Sequence, residues 1–202
     1  MASQVQICNL ALSRLGQSGI QSLGEASAAA EHCNLAWGPA LEAALRDHNW
    51  NFATRYQALA SLGSPPPHWT WRYAAPSDLA RARFILPAAK GDPPPAFEIA
   101  LADDGATRIV LTDKAQAWLC YTGLIQNASL YDPLFVDALA WRLAADLAAP
   151  LTQSDRRHQA CMNRYQNAIA GAKGADAAEG LELSTRLPDW IAAHGIAEQS
   201  LR

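Results

Sequence analysis

Residues 131–151, YDPLFVDALAWRLAADLAAPL, are the part of the sequence around which we expect the fold to be built. Asp132 and Pro133 are typical of a helix N-cap and a first-turn proline. Pro150 predicts the end of the helix, because the residue before a proline is disfavoured in the α region. The intervening residues, about 17 of them, would span roughly 25 Å. Only Asp137, Arg142 and Asp146 carry charge there. A helix that is apolar on almost every side must be packed on several sides, so we predict that it lies at the centre of the fold.

The overall composition limits the class of protein. A chain of 202 residues predicts one domain, or one domain with an appendage. Charged residues make up 17% of the chain, against about a quarter in typical globular domains. This shortage indicates that part of the surface is hidden in an assembly. The net charge of −3 argues against a free-standing nucleic-acid-binding protein, because such domains usually carry a basic excess.

Cysteine usage and hydropathy indicate a cytoplasmic origin. The cysteines, Cys8, Cys33, Cys120 and Cys161, are far apart in sequence, which favours reduced, buried thiols. The first residues lack the basic and apolar regions of a signal peptide. No run reaches the ~18 apolar residues that a membrane-spanning helix needs. We therefore expect assembly in a cytoplasm and no membrane partner.

The chain before residue 60 predicts helices. Ser3 and Gly16 have the positions of an N-cap and a C′ residue around a first helix. Residues 22–25 have the spacing of a capping box, ahead of a longer helix that reaches about Asp47. Pro39 should kink or split that helix. A further short helix is indicated by the spacing of three apolar residues, Phe52, Tyr56 and Leu59.

The middle of the chain has a different character. Proline triplets at residues 65–67 and 93–95 predict loops or straps. Between them, Arg81 and Arg83 alternate with apolar residues, which predicts a strand whose polar face is solvated. Residues 97–101 and 107–111 flank an Asp-Asp-Gly turn, which predicts a β-hairpin. Residues 115–124 fit either a last strand or the approach to the central helix.

The C-terminal part is divided by charge. Ser154 or Asp155 begins a final helix, and helical periodicity is lost from Gly174 onward. Residues 153–175 carry a net charge of +3, whereas residues 176–202 carry −3. An acidic arm with apolar anchors requires a basic, grooved surface, either on the same molecule or on the next one.

Together these patterns predict a mainly α protein with a small antiparallel β insertion. The expected architecture is a helical bundle around a buried central helix, with an extended C-terminal arm. We place the N-terminal helices at residues 1–69, the β-rich insertion at 70–125, the helices that complete the bundle at 126–174, and the arm at 175–202.

No residue pattern supports catalysis, a cofactor or a metal. His158 with Cys161, and His32 with Cys33, have no second ligand pair at the spacing of a structural zinc site. The sequence contains no GxSxG, HExxH, Walker A or GxGxxG motif. We therefore predict no catalytic residue, no cofactor and no metal site.

The tryptophans divide into two groups. Trp37, Trp118 and Trp141 lie in apolar runs, which favours core positions. Trp69, Trp71 and Trp190 lie in loop-like stretches, where a core position and an interface anchor are equally good interpretations.

A series of segments, in order, resembles the tail tubular protein A (adaptor) family of short-tailed phages. This family is related to the head–tail connector proteins of other tailed phages and of gene transfer agents. The resemblance extends over about residues 7 to 190. It is carried by ICNLALSRLGQ, EASAAAEHCNLAW, HNWNFA, YAAPSDLAR, DPLFVDALAWRLAADLAAPLT, YQNAIAGA and RLPDW.

The resemblance implies a structural virion protein in the tail connector, assembled in the host cytoplasm. Its partners would be the portal protein, the tail nozzle or another tail protein, and further copies of itself in a ring that is typically twelvefold. DNA would only pass through the channel that the ring surrounds. Two alternatives are a non-viral helical interaction module and a peptidoglycan hydrolase of the tail.

Two segments are the candidate partner contacts of such an adaptor. We expect Leu183, Pro188 and Trp190 in the arm to contact the portal or a neighbouring copy. We expect the loop that contains Asp103, Asp104 and Gly105 to contact the tail-side protein.

Overall fold

A computed structural model describes residues 2–89 and 91–179 of the chain. The helices of these residues are α1 (Gln4–Arg14), α2 (Ala28–Arg46), α3 (Pro133–Thr152) and α4 (Asp155–Glu179), with one 3-10 turn at Ala128–Leu130. The strands between α2 and α3 are β1 (Thr54–Ala58), β2 (Trp71–Ala74), β3 (Leu79–Ile85), β4 (Phe97–Leu101), β5 (Arg108–Thr112) and β6 (Trp118–Gly123).

Helix α3 is the centre of the helical part. It contacts α1, α2 and α4, and several of its large apolar side chains, such as Phe135 and Leu143, are fully buried. The predicted start of this helix is confirmed, because the Asp132 carboxylate accepts hydrogen bonds from the N–H groups of Leu134 and Phe135 at 2.8 and 3.2 Å. Pro133 is the first helical residue.

The predicted end of the central helix is wrong by two residues. Pro150 lies inside α3, which continues to Thr152. A proline in the last turn removes one backbone donor only, and Gln153 then ends the helix in the left-handed conformation at φ +50°.

The strands form two antiparallel sheets. Sheet A has the order β1-β6-β3, and sheet B has the order β2-β5-β4. They share a second hydrophobic core, separate from the helical one, which contains the buried residues Leu59, Tyr73, Leu79, Ile85, Val110, Ala117, Leu119 and Tyr121. The predicted β3 strand and the β4–β5 hairpin are both confirmed.

The predicted fold class is wrong. The chain is 44% helical and 19% strand, so it has a mixed α/β fold rather than a mainly α fold with a small β insertion. Residues 54–58 form β1 instead of a short helix, and residues 71–74 form β2, for which no strand was predicted. Residues 118–123 form β6, the middle strand of sheet A, in agreement with the strand alternative for residues 115–124.

The helical spacing around β1 has a physical origin. Phe52 packs against the helical core, Leu59 belongs to the core between the sheets, and Tyr56 is exposed. The three residues therefore have different environments, and their helix-like spacing does not reflect one buried helix face. Pairing of β1 with β6, whose paired residues lie 60 to 68 positions away, decides the local structure.

The N-terminal helices need one further correction. The first helix is confirmed, with a capping box between Ser3 and Gln6. The second helix begins at Ala28 with Ser27 as its N-cap, not at the predicted residues 22–25. Glu25 instead accepts hydrogen bonds from the Gln21 N–H and from the Ser27 hydroxyl. Pro39 lies within α2, which is not split.

Helix α4 begins at Asp155, as predicted, but runs past Gly174 to Glu179. Residues 175–179 of the predicted arm are therefore helical. The cysteines, Cys8, Cys33, Cys120 and Cys161, are free and buried, as predicted.

Candidate interaction surfaces

The loop with Asp103, Asp104 and Gly105 forms the tip of the β4–β5 hairpin. Asp104 Oδ1 accepts hydrogen bonds from the N–H groups of Ala106 and Thr107, both at 2.9 Å. Asp104 Oδ2 accepts one from the Thr107 hydroxyl at 2.6 Å. These bonds, above all those of Thr107, lower the pKa of Asp104 to about 2. Gly105 has φ +65°, which only glycine adopts without strain.

Asp104 and Gly105 therefore build the turn, and Asp103 is the acidic side chain that the tip presents. Its side chain is 96% exposed and lies 3.1 Å from Nη1 of Arg72. Two of the three predicted residues thus have a structural role, and the third has the exposure that a contact needs.

Strand β4 carries an apolar surface next to this tip. Phe97, Ile99 and Leu101 point to the same face of sheet B, because side chains alternate along a strand. Phe97 packs against the core between the sheets. Leu101, further along the strand, is 61% exposed. We call Ile99, Leu101 and Asp103 the hairpin surface.

A second exposed apolar surface lies on sheet A. Tyr56 is directly opposite Cys120, and Trp118 precedes Cys120 by two residues, so all three share one face. Tyr56 is 58% exposed and Trp118 is 49% exposed. Cys120, by contrast, is buried, and its charge would raise the pKa of the Tyr56 phenol. The exposure of Trp118 shows that its predicted core position is wrong. We call Tyr56 and Trp118 the aromatic surface.

Arg83 joins sheet A to the helical part. Its guanidinium donates to the hydroxyls of Thr122 and Thr54 at 3.0 and 2.8 Å and to the Trp50 carbonyl at 2.9 Å. Desolvation lowers the pKa of this partly buried arginine. The strand pattern favoured a solvated face for Arg83, and nothing in the local sequence indicates these three partners.

The end of α4 is held by the segment between α2 and β1. Asp176 is 7% exposed, and its carboxylate accepts a hydrogen bond from the Asn51 N–H at 2.9 Å and lies 3.2 Å from His48 Nε2. The Asn51 side chain donates to the Asp176 carbonyl at 2.7 Å. Asp176 therefore does not act as a free charge of the acidic arm. It fixes the helix from which residues 180–202 continue.

The other tryptophans have mixed environments. Trp37 is buried in the helical core, and Trp141 packs against that core while partly exposed. Trp69 is partly buried, with Nε1 3.3 Å from Glu98, and Trp71 stacks on Tyr73. The remaining predicted contact residues, Leu183, Pro188 and Trp190, lie outside the described residues.

The described residues contain no group of three or more His, Cys, Asp or Glu side chains that could hold a metal ion. His158 Nδ1 lies 2.8 Å from the Ala145 carbonyl, and Cys161 is buried in the helical core. Among the described helices, none has both the length and the apolar character needed to cross a membrane.

Most polar groups near these surfaces form hydrogen bonds within turns or between elements. The exposed groups are mostly aliphatic and aromatic. Such surfaces are suited to contacts with other proteins. Comparison of the chain with protein-family models and with curated proteins finds no match.

Proposed function

We propose that the chain is a structural virion protein, a head-to-tail adaptor that joins the portal to the tail nozzle. In this proposal several copies form a ring around the channel through which DNA leaves the capsid. The observation that carries the proposal is the ordered resemblance of residues 7–190 to the tail tubular protein A family. No residue is assigned a catalytic role.

The resembling segments meet one another in three dimensions. HNWNFA provides Trp50, whose ring lies 5.0 Å from that of Phe135 on α3, and Asn51, which binds Asp176. YAAPSDLAR provides Asp78, which accepts hydrogen bonds from Arg55 and Tyr121. These are packing and hydrogen-bond contacts, so the resembling segments serve the fold of this chain, and the function is proposed by analogy with the family.

The exposed surfaces support an assembly role. Contiguous exposed apolar patches rimmed by polar residues mark contact sites in soluble proteins. In the proposal the hairpin surface contacts the tail-side protein. Residues 180–202, with Leu183, Pro188 and Trp190, contact the portal or a neighbouring copy. The aromatic surface has no assigned partner.

The proposal is tested by measuring the mass of the purified chain alone and mixed with the portal protein of the same phage. Size-exclusion chromatography with light scattering should give a complex that contains one ring of chains on each portal ring. Electron microscopy of that complex should show the added ring at one end of the portal. Separate elution of the two proteins at micromolar concentrations contradicts the proposal.

A turbidity assay on a peptidoglycan suspension separates the adaptor from a tail hydrolase. We expect no clearing beyond that of buffer. Clearing that depends on the concentration of the chain would support the hydrolase and count against a purely structural protein.

A further inference from the structure

A basic cleft lies where the end of α1 meets α3 and the first half of α4. Its volume is about 390 Å³. It is lined by arginines from α1 and α4, by one indole from α3 and by small residues. The main lining residues are Arg14, Leu15, Gly16, Trp141, Arg157 and Arg164. We call these residues the basic cleft.

Two of its arginines are held in fixed positions. The Arg14 guanidinium lies 4.0 Å above the Trp141 ring and donates to the carboxylate and the backbone carbonyl of Asp137. Desolvation lowers the pKa of Arg14. Arg157 donates from Nη1 to the Leu15 carbonyl at 3.0 Å. Anchored guanidinium groups lose little side-chain entropy when they bind a ligand.

The cleft retains unused hydrogen-bond donors. A guanidinium has five N–H donors, and Arg157 uses one of them in its bond to Leu15. Arg164 is exposed and forms no hydrogen bond or ion pair with any residue in the ranges 2–89 and 91–179. Asp137 is already paired with Arg14. The free positive charge beside the Trp141 ring suits a carboxylate that has an apolar or aromatic group next to it.

We infer that the basic cleft binds the C-terminal segment of a neighbouring copy, residues 180–202, through the Asp189 carboxylate and the Trp190 indole. In that segment Asp189 is flanked by Pro188 and Trp190, which gives the required carboxylate beside an aromatic ring. Arg157 and Arg164 bind the carboxylate, and Trp141 with Leu15 provides the apolar wall. This inference rests on the proposed ring, which supplies the neighbouring copy.

The reach of the segment bears on which copy it can occupy. The cleft is beside Arg157 and Arg164, whereas the bonds of Asp176 fix the opposite end of the helix. At 1.5 Å per residue, Arg164 lies about 22 Å from Glu179 along the helix. A chain extends at most about 3.5 Å per residue, so Asp189, ten residues beyond Glu179, reaches at most about 35 Å. Reach therefore permits docking in either copy, and the choice of a neighbouring copy follows from the proposed ring.

The first experiment measures binding of a labelled peptide, residues 180–202, to the chain that ends at Glu179. Fluorescence anisotropy should show saturable binding, and Arg164→Glu in the chain or Asp189→Asn in the peptide should weaken it at least tenfold. Arg156→Glu is the matched control, because Arg156 is an exposed arginine on the same helix that does not line the cleft. The inference is overturned if the parent peptide does not bind the parent chain. It is also overturned if both charge variants, Arg164→Glu in the chain and Asp189→Asn in the peptide, leave the affinity unchanged.

The second experiment identifies the source of the segment. The full chain with Arg164→Glu can donate the segment but cannot accept it, and the chain ending at Glu179 can accept it but cannot donate it. Mixed together, the two should form a one-to-one complex in light scattering, whereas each alone should not gain mass. If the peptide binds but the mixture stays separate, docking within one molecule replaces docking between copies.

These outcomes are distinguishable from those of the proposed function. Both cleft experiments use the chain without a portal. A chain that attaches to the portal but does not bind the peptide contradicts only the cleft assignment. A chain that binds the peptide but never attaches to a portal contradicts only the adaptor proposal.

Discussion

At the scale of single residues, the acidic hairpin tip shows how two neighbouring aspartates take different roles. Asp104 accepts three hydrogen bonds and orders the turn, while Asp103 remains almost fully exposed. Residue type and position alone do not distinguish them, because Asp is favoured in turns for both reasons. The distinction matters for any test of the hairpin surface, since substitution of Asp104 would alter the turn itself.

The bonds of Asp104 predict a measurable pH dependence. Its pKa of about 2 should appear in an NMR titration of the side-chain carboxyl carbon. Thr107→Val removes the hydroxyl donor and should raise that pKa toward the ordinary value of about 3.9. Thr107→Ser keeps the hydroxyl and should keep the low pKa. A titration that is unchanged by Thr107→Val would contradict this account of the turn.

The sign of the effect on the hairpin follows from the lowered pKa. A carboxylate whose pKa is lower in the folded state stabilises that state above its ordinary pKa, and loses this effect as the pH falls through the folded value. The turn should therefore stay ordered down to about pH 2 in the parent chain. In the Thr107→Val variant we expect it to loosen at a higher pH.

At the scale of elements, the quality of prediction depends on how far apart the interacting residues lie in the sequence. The starts of α1 and α3 and the β4–β5 turn were predictable, because Ser3, Asp132 and Asp104 act on residues at most three positions away. Strand β1 was not predictable, because the residues of β6 that pair with it lie 60 to 68 positions away. The interior role of Trp50, which is fully buried against Phe135, was hidden for the same reason.

The end of α3 offers a prediction about one element. Gln153 adopts the left-handed conformation at φ +50°, which costs a non-glycine residue about 1–2 kcal/mol. Glycine avoids this strain but loses more entropy on folding, about 0.5–1 kcal/mol. Gln153→Gly should therefore raise the free energy of unfolding by about 0.5–1 kcal/mol, measured by urea denaturation.

A matched substitution gives the control for Gln153. Gln166 is an exposed residue in the interior of α4. Gln166→Gly should lower the free energy of unfolding by about 1 kcal/mol, because glycine is a poor helix former. A loss of stability in both variants would show that the left-handed conformation at Gln153 carries no strain that glycine relieves.

At the scale of the whole molecule, two hydrophobic cores are joined by a small number of polar bonds. Arg83 reaches from β3 to the Trp50 carbonyl. Across the same boundary, the Arg46 guanidinium donates to the Ala80 carbonyl and the Arg81 guanidinium donates to the Arg46 carbonyl. The sequence indicated the four helices, strand β3 and the β4–β5 hairpin. It did not indicate the hydrogen bonds that connect the two cores, because each of them depends on where two distant segments meet.

Truncations near Glu179 should distinguish residues needed for folding from residues needed for assembly. The sequence placed the start of the arm at residue 175, but Asp176 is bonded to His48 and Asn51. Truncation after residue 174 therefore removes part of the fold as well as the arm. The truncation removes the buried Asp176 carboxylate with its bonds to Asn51 and His48, and it should lower the free energy of unfolding by about 1–3 kcal/mol.

Two further variants distinguish a loss of stability from a loss of attachment to the portal. The chain that ends at Glu179 keeps Asp176, so it should unfold in urea like the full chain, yet we expect it to lose attachment to the portal in light scattering. Asp176→Asn in the full chain weakens the contact with His48, so it should be less stable while still attaching. If the chain ending at Glu179 attaches as tightly as the full chain, residues 180–202 make neither the portal contact nor a contact between copies that attachment requires, and the adaptor must use one of its described surfaces.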